Sequence, residues 1–287
     1  MRIFITGGGG LLGAKLAGMA QEEGHEVFSG YNHSIPEKGV ALKLDLAFDN
    51  SIHKAVEQAQ PEIIFHTAAL TDVDRCESEQ DLACRINARG TKVLADAAKK
   101  AGAFLVYIST DYVFDGQRGM YKEEDRANPI SHYGYTKLLG EKYAECVART
   151  CVIYGSKPAS GKINFALWIL EKLQKGEEIR IVTDQYVSPT LNTNLARMLQ
   201  EAGEQRREGV YHMAGATRTS RYEFACKLAD VFGLDRSLIV PTKMADLSWK
   251  ARRPMDSSMD VSKAARLFNE KPWDINRSLN NLREEIT

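Results

Sequence analysis

Charge of one sign is what this sequence most conspicuously lacks: 38 lysines and arginines balance 38 aspartates and glutamates, and neither sign forms a long run. Nucleic acid and anionic membranes select for clustered basic charge, so neither is an expected partner. No apolar run approaches the roughly 18 to 20 residues of a membrane span, and the chain opens on a strand pattern rather than a charged and then hydrophobic leader, so a cytoplasmic protein is expected. Cysteine is scarce and unpaired. Cys76, Cys84, Cys146, Cys151 and Cys226 are odd in number and contain no CxxC, which fits a reducing compartment and small buried side chains; no metal is expected. Internal repeats and low-complexity linkers are also absent, and 287 residues with 44% apolar content suffice for one large or two modest globular domains.

What is present begins at the first residues. Residues 2–6, ArgIlePheIleThr, read as a strand that runs into GlyGlyGlyGlyLeuLeuGly and then a helical pattern. Gly7, Gly10 and Gly13 are spaced three apart, and Gly8-x-Gly10-x-x-Gly13 also satisfies the dinucleotide fingerprint. Glycines there permit the tight turn and close approach of backbone amides to a pyrophosphate, at a helix N-terminus that favours anions. Residues 24–30 read as a second strand, but the carboxylate that would grip a ribose 2′-hydroxyl is missing; Tyr31, Asn32 and His33 stand there instead. His33 or Lys38 could attract a 2′-phosphate, so NADPH is permitted, with NADH also possible. A third strand spans 40–46, where Asp45 is either an acceptor for the adenine amine or a cap for a helix over 51–59. A fourth spans 61–69, and its end, Ala68, Ala69, Leu70 and Thr71, has small residues where a cofactor could pass close to the backbone. His66 reads as a satisfied sheet histidine. A long helix over 81–102 stops at Gly102; Asn87, polar among its core-facing positions, either bends it or holds water near Lys137.

The stretch from Leu105 to Lys137 is the expected reaction centre. Leu105 to Ile108 form an apolar run halted by Ser109, Thr110 and Asp111, which suits the carboxyl end of a buried parallel strand, where open α/β sheets bind ligands. Beyond Pro129 a helical pattern places Tyr133 and Lys137 four apart on one face. A phenol with an ordinary pKa of about 10 needs a nearby cation to work at neutral pH, and Lys137 is placed to be it. A hydroxyl from Thr110 or Ser109 would polarise a carbonyl that receives hydride. Tyr-x-x-x-Lys is a weak motif among 11 tyrosines; the hydroxyl-rich strand end and the glycine-rich start give it meaning.

Residues 147–155 read as a further strand, after which the alternation lapses: a helix from Ile163, a short strand at 178–182, the loop AspGlnTyrValSerProThr at 184–190 leading to a helix, a returning strand at 209–215, and a capping box Ser220-x-x-Glu223 opening a helix to Phe232. The expected fold is α/β, a Rossmann-like doubly wound parallel sheet with a smaller α/β C-terminal substrate domain. Residues 1–155 and 184–215 would form the dinucleotide domain, and 156–183 and 216–287 the substrate domain.

These residues resemble the extended short-chain dehydrogenase/reductase family, and within it the dTDP-4-dehydrorhamnose reductases. The resemblance rests on residues 6–13, on Thr71-x-Val73-Asp74-x-x-Glu77, on SerThrAspTyrValPheAspGly (109–116), on TyrGlyTyrThrLys (133–137), on the 184–190 loop, and on ArgPro before Ser258-Met259-Asp260. It implies Tyr133 as general acid, Lys137 holding the nicotinamide ribose, and Thr110 polarising the keto oxygen. It implies cofactor contacts from Gly10, Leu11, Leu12, Asp45, Leu46, Ala69, Leu70 and Thr71, a sugar pocket lined by Asp111 and Tyr112, and Arg253 on the phosphates of a nucleotide-sugar substrate. A homodimer is compatible with it. One departure stands out: where the family has a substrate-site tryptophan, this chain has Val152. The chain also looks like the regulatory β subunit of methionine adenosyltransferase, of which residues 222–233 are reminiscent.

Overall fold

Ile3, Phe4, Ile5 and Thr6 are all buried, because β1 (Arg2–Thr6) lies mid-sheet with helices over both faces. The structure, a computed structural model, describes residues 1–158 and 163–287. After β1 come α1 (Leu11–Glu22), β2 (Glu26–Tyr31), β3 (Val40–Lys43), α2 (Asp49–Ala59) and β4 (Ile63–His66). Then α3 (Val73–Ser78), α4 (Gln80–Ala83), a π-helical turn (Cys84–Arg89) and α5 (Gly90–Ala101) lead to β5 (Phe104–Thr110), α6 (His132–Glu141) and β6 (Cys146–Thr150). The short β7 (Ile153–Tyr154), α7 (Phe165–Gln174), β8 (Ile179–Val182), β9 (Tyr186–Val187) and β10 (Thr190–Leu191) precede α8 (Asn192–Glu204) and β11 (Gly209–His212). The chain closes with β12 (Thr219–Ser220), α9 (Arg221–Phe232), β13 (Ile239–Thr242), α10 (Ser262–Leu267) and α11 (Ile275–Ile286).

Seven strands pair in the order β11-β6-β5-β4-β1-β2-β3, every pairing parallel. This is the doubly wound sheet that the alternation of strands and helices implied. Because side chains alternate along a strand, Ile3 and Ile5 join Leu12, Leu16, Leu195 and Leu199 in a core on one face. Phe4 joins Ile52, Val56 and Leu94 on the other. A separate core of Ile169, Leu173, Ile179, Phe224, Leu228, Trp273 and Leu279 gathers α7, α9 and α11 around the small β8/β13 pair.

Several boundaries differ from the sequence reading for physical reasons. The strand expected over 147–155 breaks after Thr150, because Val152 sits at φ +41°, a region that β-branched residues rarely adopt; Ile153 and Tyr154 pair instead with β10. Strand β5 runs on through Ser109 and Thr110 rather than stopping before them, since β6 pairs with it to the Thr110–Thr150 register. The second strand begins at Glu26, after Gly24 turns the chain at φ +82°; the third and fourth end at Lys43 and His66. The helix that stops at Gly102 carries a π-helical turn around Asn87.

Candidate active site

Parallel pairing aligns the carboxyl ends of β1, β4, β5 and β6 on one edge, where Gly7 follows β1, Ala68 follows β4 and Thr110 ends β5. At the end of β1, Gly7 adopts φ +70°, and a Cβ on it would come within 3.1 Å of Ala68 Cα at the end of β4. A Cβ on Gly13 would fall 2.2 Å from the Gly7 carbonyl oxygen, so α1 can pack this close only with glycine there. Gly10 is the N-cap of α1 and offers no side-chain acceptor, which leaves the first-turn amides of Leu11, Leu12 and Gly13 without a side-chain cap. An uncapped helix N-terminus behind a turn that tolerates no side chain suits a dinucleotide pyrophosphate. Leu46 is buried against Gly90. Asp45 does not cap α2, whose N-cap is Phe48; its Oδ1 accepts from the Ala47 amide at 2.9 Å. Beyond β2, the Lys43 ammonium donates to the Asn32 carbonyl and lies 5.4 Å from the centre of the Tyr31 ring, a cation that the sequence reading did not single out.

Helix α6 enters the site on a short leash. Ser131 caps it, accepting from the Gly134 amide at 3.3 Å, and Glu77 accepts from the His132 amide at 3.0 Å. A Cβ on Gly134 would lie 2.1 Å from the Tyr112 carbonyl oxygen, so this glycine lets the helix press on the chain after Thr110. Tyr133 is thereby brought, half-buried, edge-on to Tyr112 with 5.8 Å between ring centres, and within hydrogen-bonding reach of the Thr110 hydroxyl. Burial raises the Tyr133 phenol well above its ordinary value, opposed by Thr110. Lys137, one turn on, is 3% exposed, and its ammonium lies over the Tyr107 ring, 4.1 Å from the centre. Burial draws it down to about 7, against the pull of Glu141. Burial disfavours the charged form of each group, so it favours a protonated phenol and draws the lysine towards neutrality.

Asp111 points inward. Its carboxylate accepts from Thr110 Oγ1 and Cys151 Sγ, each at 3.0 Å, and from the Ser257 hydroxyl, which ties the C-terminal segment to the end of β5. Burial raises its pKa. Tyr112, the next residue, is 9% exposed. Val152 is half-buried and packs on the cluster of Val113, Phe114, Cys151 and Met259. Arg253, expected to face phosphates, is held by Asp74 at 3.1 Å, with its side chain 11% exposed and its second arm on the Ala251 carbonyl. This accounts for two of the residues in the Thr71–Glu77 pattern: Asp74 holds Arg253, and Glu77 holds α6.

Asn87 lies in the π-helical turn and has protein partners on both ends of its amide. Its Oδ1 accepts from the Leu70 amide at 2.8 Å and its Nδ2 donates to the Leu70 carbonyl and Thr136 Oγ1, at 3.1 and 3.2 Å. One amide thus joins the loop after β4, Ala68 to Thr71, to the helix of Tyr133 and Lys137. π-Helical turns occur often at functional sites, and this one aims that amide. His66 is satisfied on both nitrogens, by Thr6 at 2.8 Å and Thr91 at 3.0 Å, and burial lowers it to about 3, so it is neutral.

The whole chain, residues 1–287, matches the family described as the RmlD substrate binding domain. The chain belongs to this family. Its fold superposes with a TM-score of 0.89 on a dTDP-4-dehydrorhamnose reductase from Bacillus anthracis solved in complex with NADP, at 30% identity over 99% of each chain. It is 31% identical to a probable low-salt glycan biosynthesis reductase of Haloferax volcanii, over 91% of this chain and 90% of that one. It is also 33% identical to the bovine methionine adenosyltransferase 2 subunit beta, over 91% of this chain and 81% of that protein. Both resemblances read from the sequence therefore recur among its relatives.

Proposed function

We propose that the protein is an NADPH-dependent reductase acting on the 4-keto group of a nucleotide-linked 6-deoxysugar, of the kind that converts dTDP-4-dehydrorhamnose to dTDP-L-rhamnose. The observation that supports this most directly is the convergence of Thr110, Tyr133 and Lys137 on the sheet edge that carries the glycine turn. In this reading residues 1–155 and 184–215 hold the dinucleotide, and 156–183 and 216–287 the sugar nucleotide.

A bound nicotinamide would supply the hydride. Gly7, Gly10, Leu11, Leu12 and Gly13 would hold the pyrophosphate by backbone amides, with Leu46, Ala68, Ala69, Leu70 and Thr71 along the remainder. Thr110 would turn its hydroxyl proton from Asp111 to the keto oxygen as charge develops there, and Tyr133 would deliver its proton to the same oxygen. A phenol kept protonated by burial suits an acid. Lys137 would hold the ribose and, as an ammonium near its pKa, would return a proton towards Tyr133. Arg253 would reach phosphates only from the position that Asp74 gives it.

The missing carboxylate after β2 and the cations Lys38 and Lys43 lead to an expectation for the cofactor. NADPH should bind at least as tightly as NADH in calorimetry; a preference for NADH beyond about tenfold, or 1.4 kcal/mol, would contradict it. Val152 leads to another. With no aromatic against the hexose, dTDP-4-keto-6-deoxy sugars should be reduced weakly and with tolerance of related sugars. Val152→Trp should improve kcat/KM for the rhamnose precursor by about 10-fold to 200-fold, the value of apolar contact worth about 1–3 kcal/mol. Steady-state rates of both proteins across several 4-keto sugar nucleotides check this.

The relation to the methionine adenosyltransferase subunit supports a second reading, a non-catalytic NADP-binding regulatory subunit. Tight NADPH binding without NADPH oxidation by any 4-keto sugar nucleotide, in either protein, selects it.

A further inference from the structure

At the amino-terminal end of the sheet strands, opposite the candidate site, α1 and α8 finish side by side. They run parallel: Asn192, opening α8, donates Nδ2 to the Leu11 carbonyl at 3.0 Å, and Gln200, near its end, donates Nε2 to Glu23 Oε2 at 2.8 Å. Leu16, Ala17 and Ala20 pack with Leu195, Leu199 and Ala202 between them. Two helix C-termini therefore meet here, each with about half a negative charge. Gly24, at φ +82°, reverses the chain just after α1, so that Glu23 and His25 both face Glu204, the last residue of α8.

His25 Nε2 lies 3.1 Å from Glu204 Oε1 and 3.8 Å from Glu23 Oε2, and one ligand atom of each residue lies within 4.8 Å of the others. Gln200 reaches the same cluster from below. It is 4% exposed, and while its Nε2 is bonded to Glu23, its Oε1 is buried with no partner. An unpaired buried amide oxygen is costly, and a cation or its water ligand beside Glu23 would give it one. The basic group at hand is the Met1 amine, 3.4 Å from Nδ1, on the side of the ring turned from the carboxylates.

We propose that Glu23, His25 and Glu204 bind a divalent d-block cation such as Zn²⁺ or Co²⁺, clamping the ends of α1 and α8. Two carboxylates offset the ion's charge, and an imidazole nitrogen selects against Mg²⁺ and Ca²⁺, which favour oxygen ligands alone. Sequence alone did not show this site, because Glu204 is remote from the Glu-Gly-His turn and only the packing of the two helices brings them together.

The test is calorimetry and thermal melting of the full chain with ZnCl₂, CoCl₂ and MgCl₂, beside His25→Gln and Glu204→Gln. The proposal expects one equivalent of Zn²⁺ or Co²⁺ to bind and raise Tm, no response to Mg²⁺, and at least tenfold weaker Zn²⁺ binding in each variant. Bound Co²⁺ should show d–d bands without a thiolate charge-transfer band. Equal binding by wild type and variants would mean an adventitious ion only and overturn it. So would a thiolate band, which would place the ion on a cysteine, or Mg²⁺ binding as tight as Zn²⁺.

Discussion

Tyr133→Phe should lower turnover on a 4-keto sugar nucleotide by about 10² to 10⁴-fold while leaving NADPH affinity nearly unchanged, because it removes the proton donor and little else. The ring remains to pack edge-on against Tyr112, and the glycine turn, Lys137 and the Asn87 tie are untouched. The wild-type pH profile provides a second readout. A group whose pKa is raised keeps its proton over a wider range, so burial of Tyr133 predicts no loss of reduction through deprotonation of this acid up to about pH 10. Stopped-flow or steady-state NADPH oxidation, with binding measured in parallel, decides both points. Wild-type turnover in the phenylalanine protein would remove Tyr133 from the mechanism.

Glu141→Gln should destabilise the fold by about 3–5 kcal/mol, the cost of leaving a buried charge without its partner. Glu141 ends the helix of Tyr133 and Lys137. Its carboxylate accepts from Arg149 Nε and Nη2 at 2.9 and 2.7 Å and from Ser109 Oγ at 2.6 Å, with both charged side chains under a tenth exposed. Arg149 Nη1 is already buried without a partner, so the guanidinium has nothing in reserve. Exposed pairs such as Lys92–Asp96 are worth far less, since water screens them and loosens their geometry. Urea denaturation of Glu141→Gln and of Glu141→Gln with Arg149→Met measures the effect, and the double variant should regain part of the loss. A single-variant loss below about 1 kcal/mol would mean that water enters to solvate Arg149.

Local pattern was enough for the sheet, the glycine turn and the Tyr133–Lys137 face. Strand period, turn residues and helical spacing are properties of neighbouring residues, and the parallel order follows from strands alternating with helices. The Ser220 capping box and the stop at Gly102 were legible for the same reason. Where a segment's conformation depended on distant partners, the reading went astray. The continuous strand over 147–155 was sound by pattern, yet Val152 turns out of it to let Ile153 and Tyr154 pair with β10.

Side-chain partners were the least legible of all, because a hydrogen bond or ion pair is chosen in space. Nothing near Arg253 in sequence pointed to its ion pair with Asp74, 179 positions earlier. Nor did the sequence show that Cys151 and Ser257 both donate to the Asp111 carboxylate. Asn87 gave no hint that it binds Leu70 and Thr136 at once. By itself the sequence determined the types and spacings from which the site is proposed: glycines behind the first strand, and a phenol and an ammonium four apart after a hydroxyl-rich strand end. Only the tertiary structure decided which of them are buried and whom they touch, and so where their protons rest, because desolvation and hydrogen bonding depend on the whole packed chain.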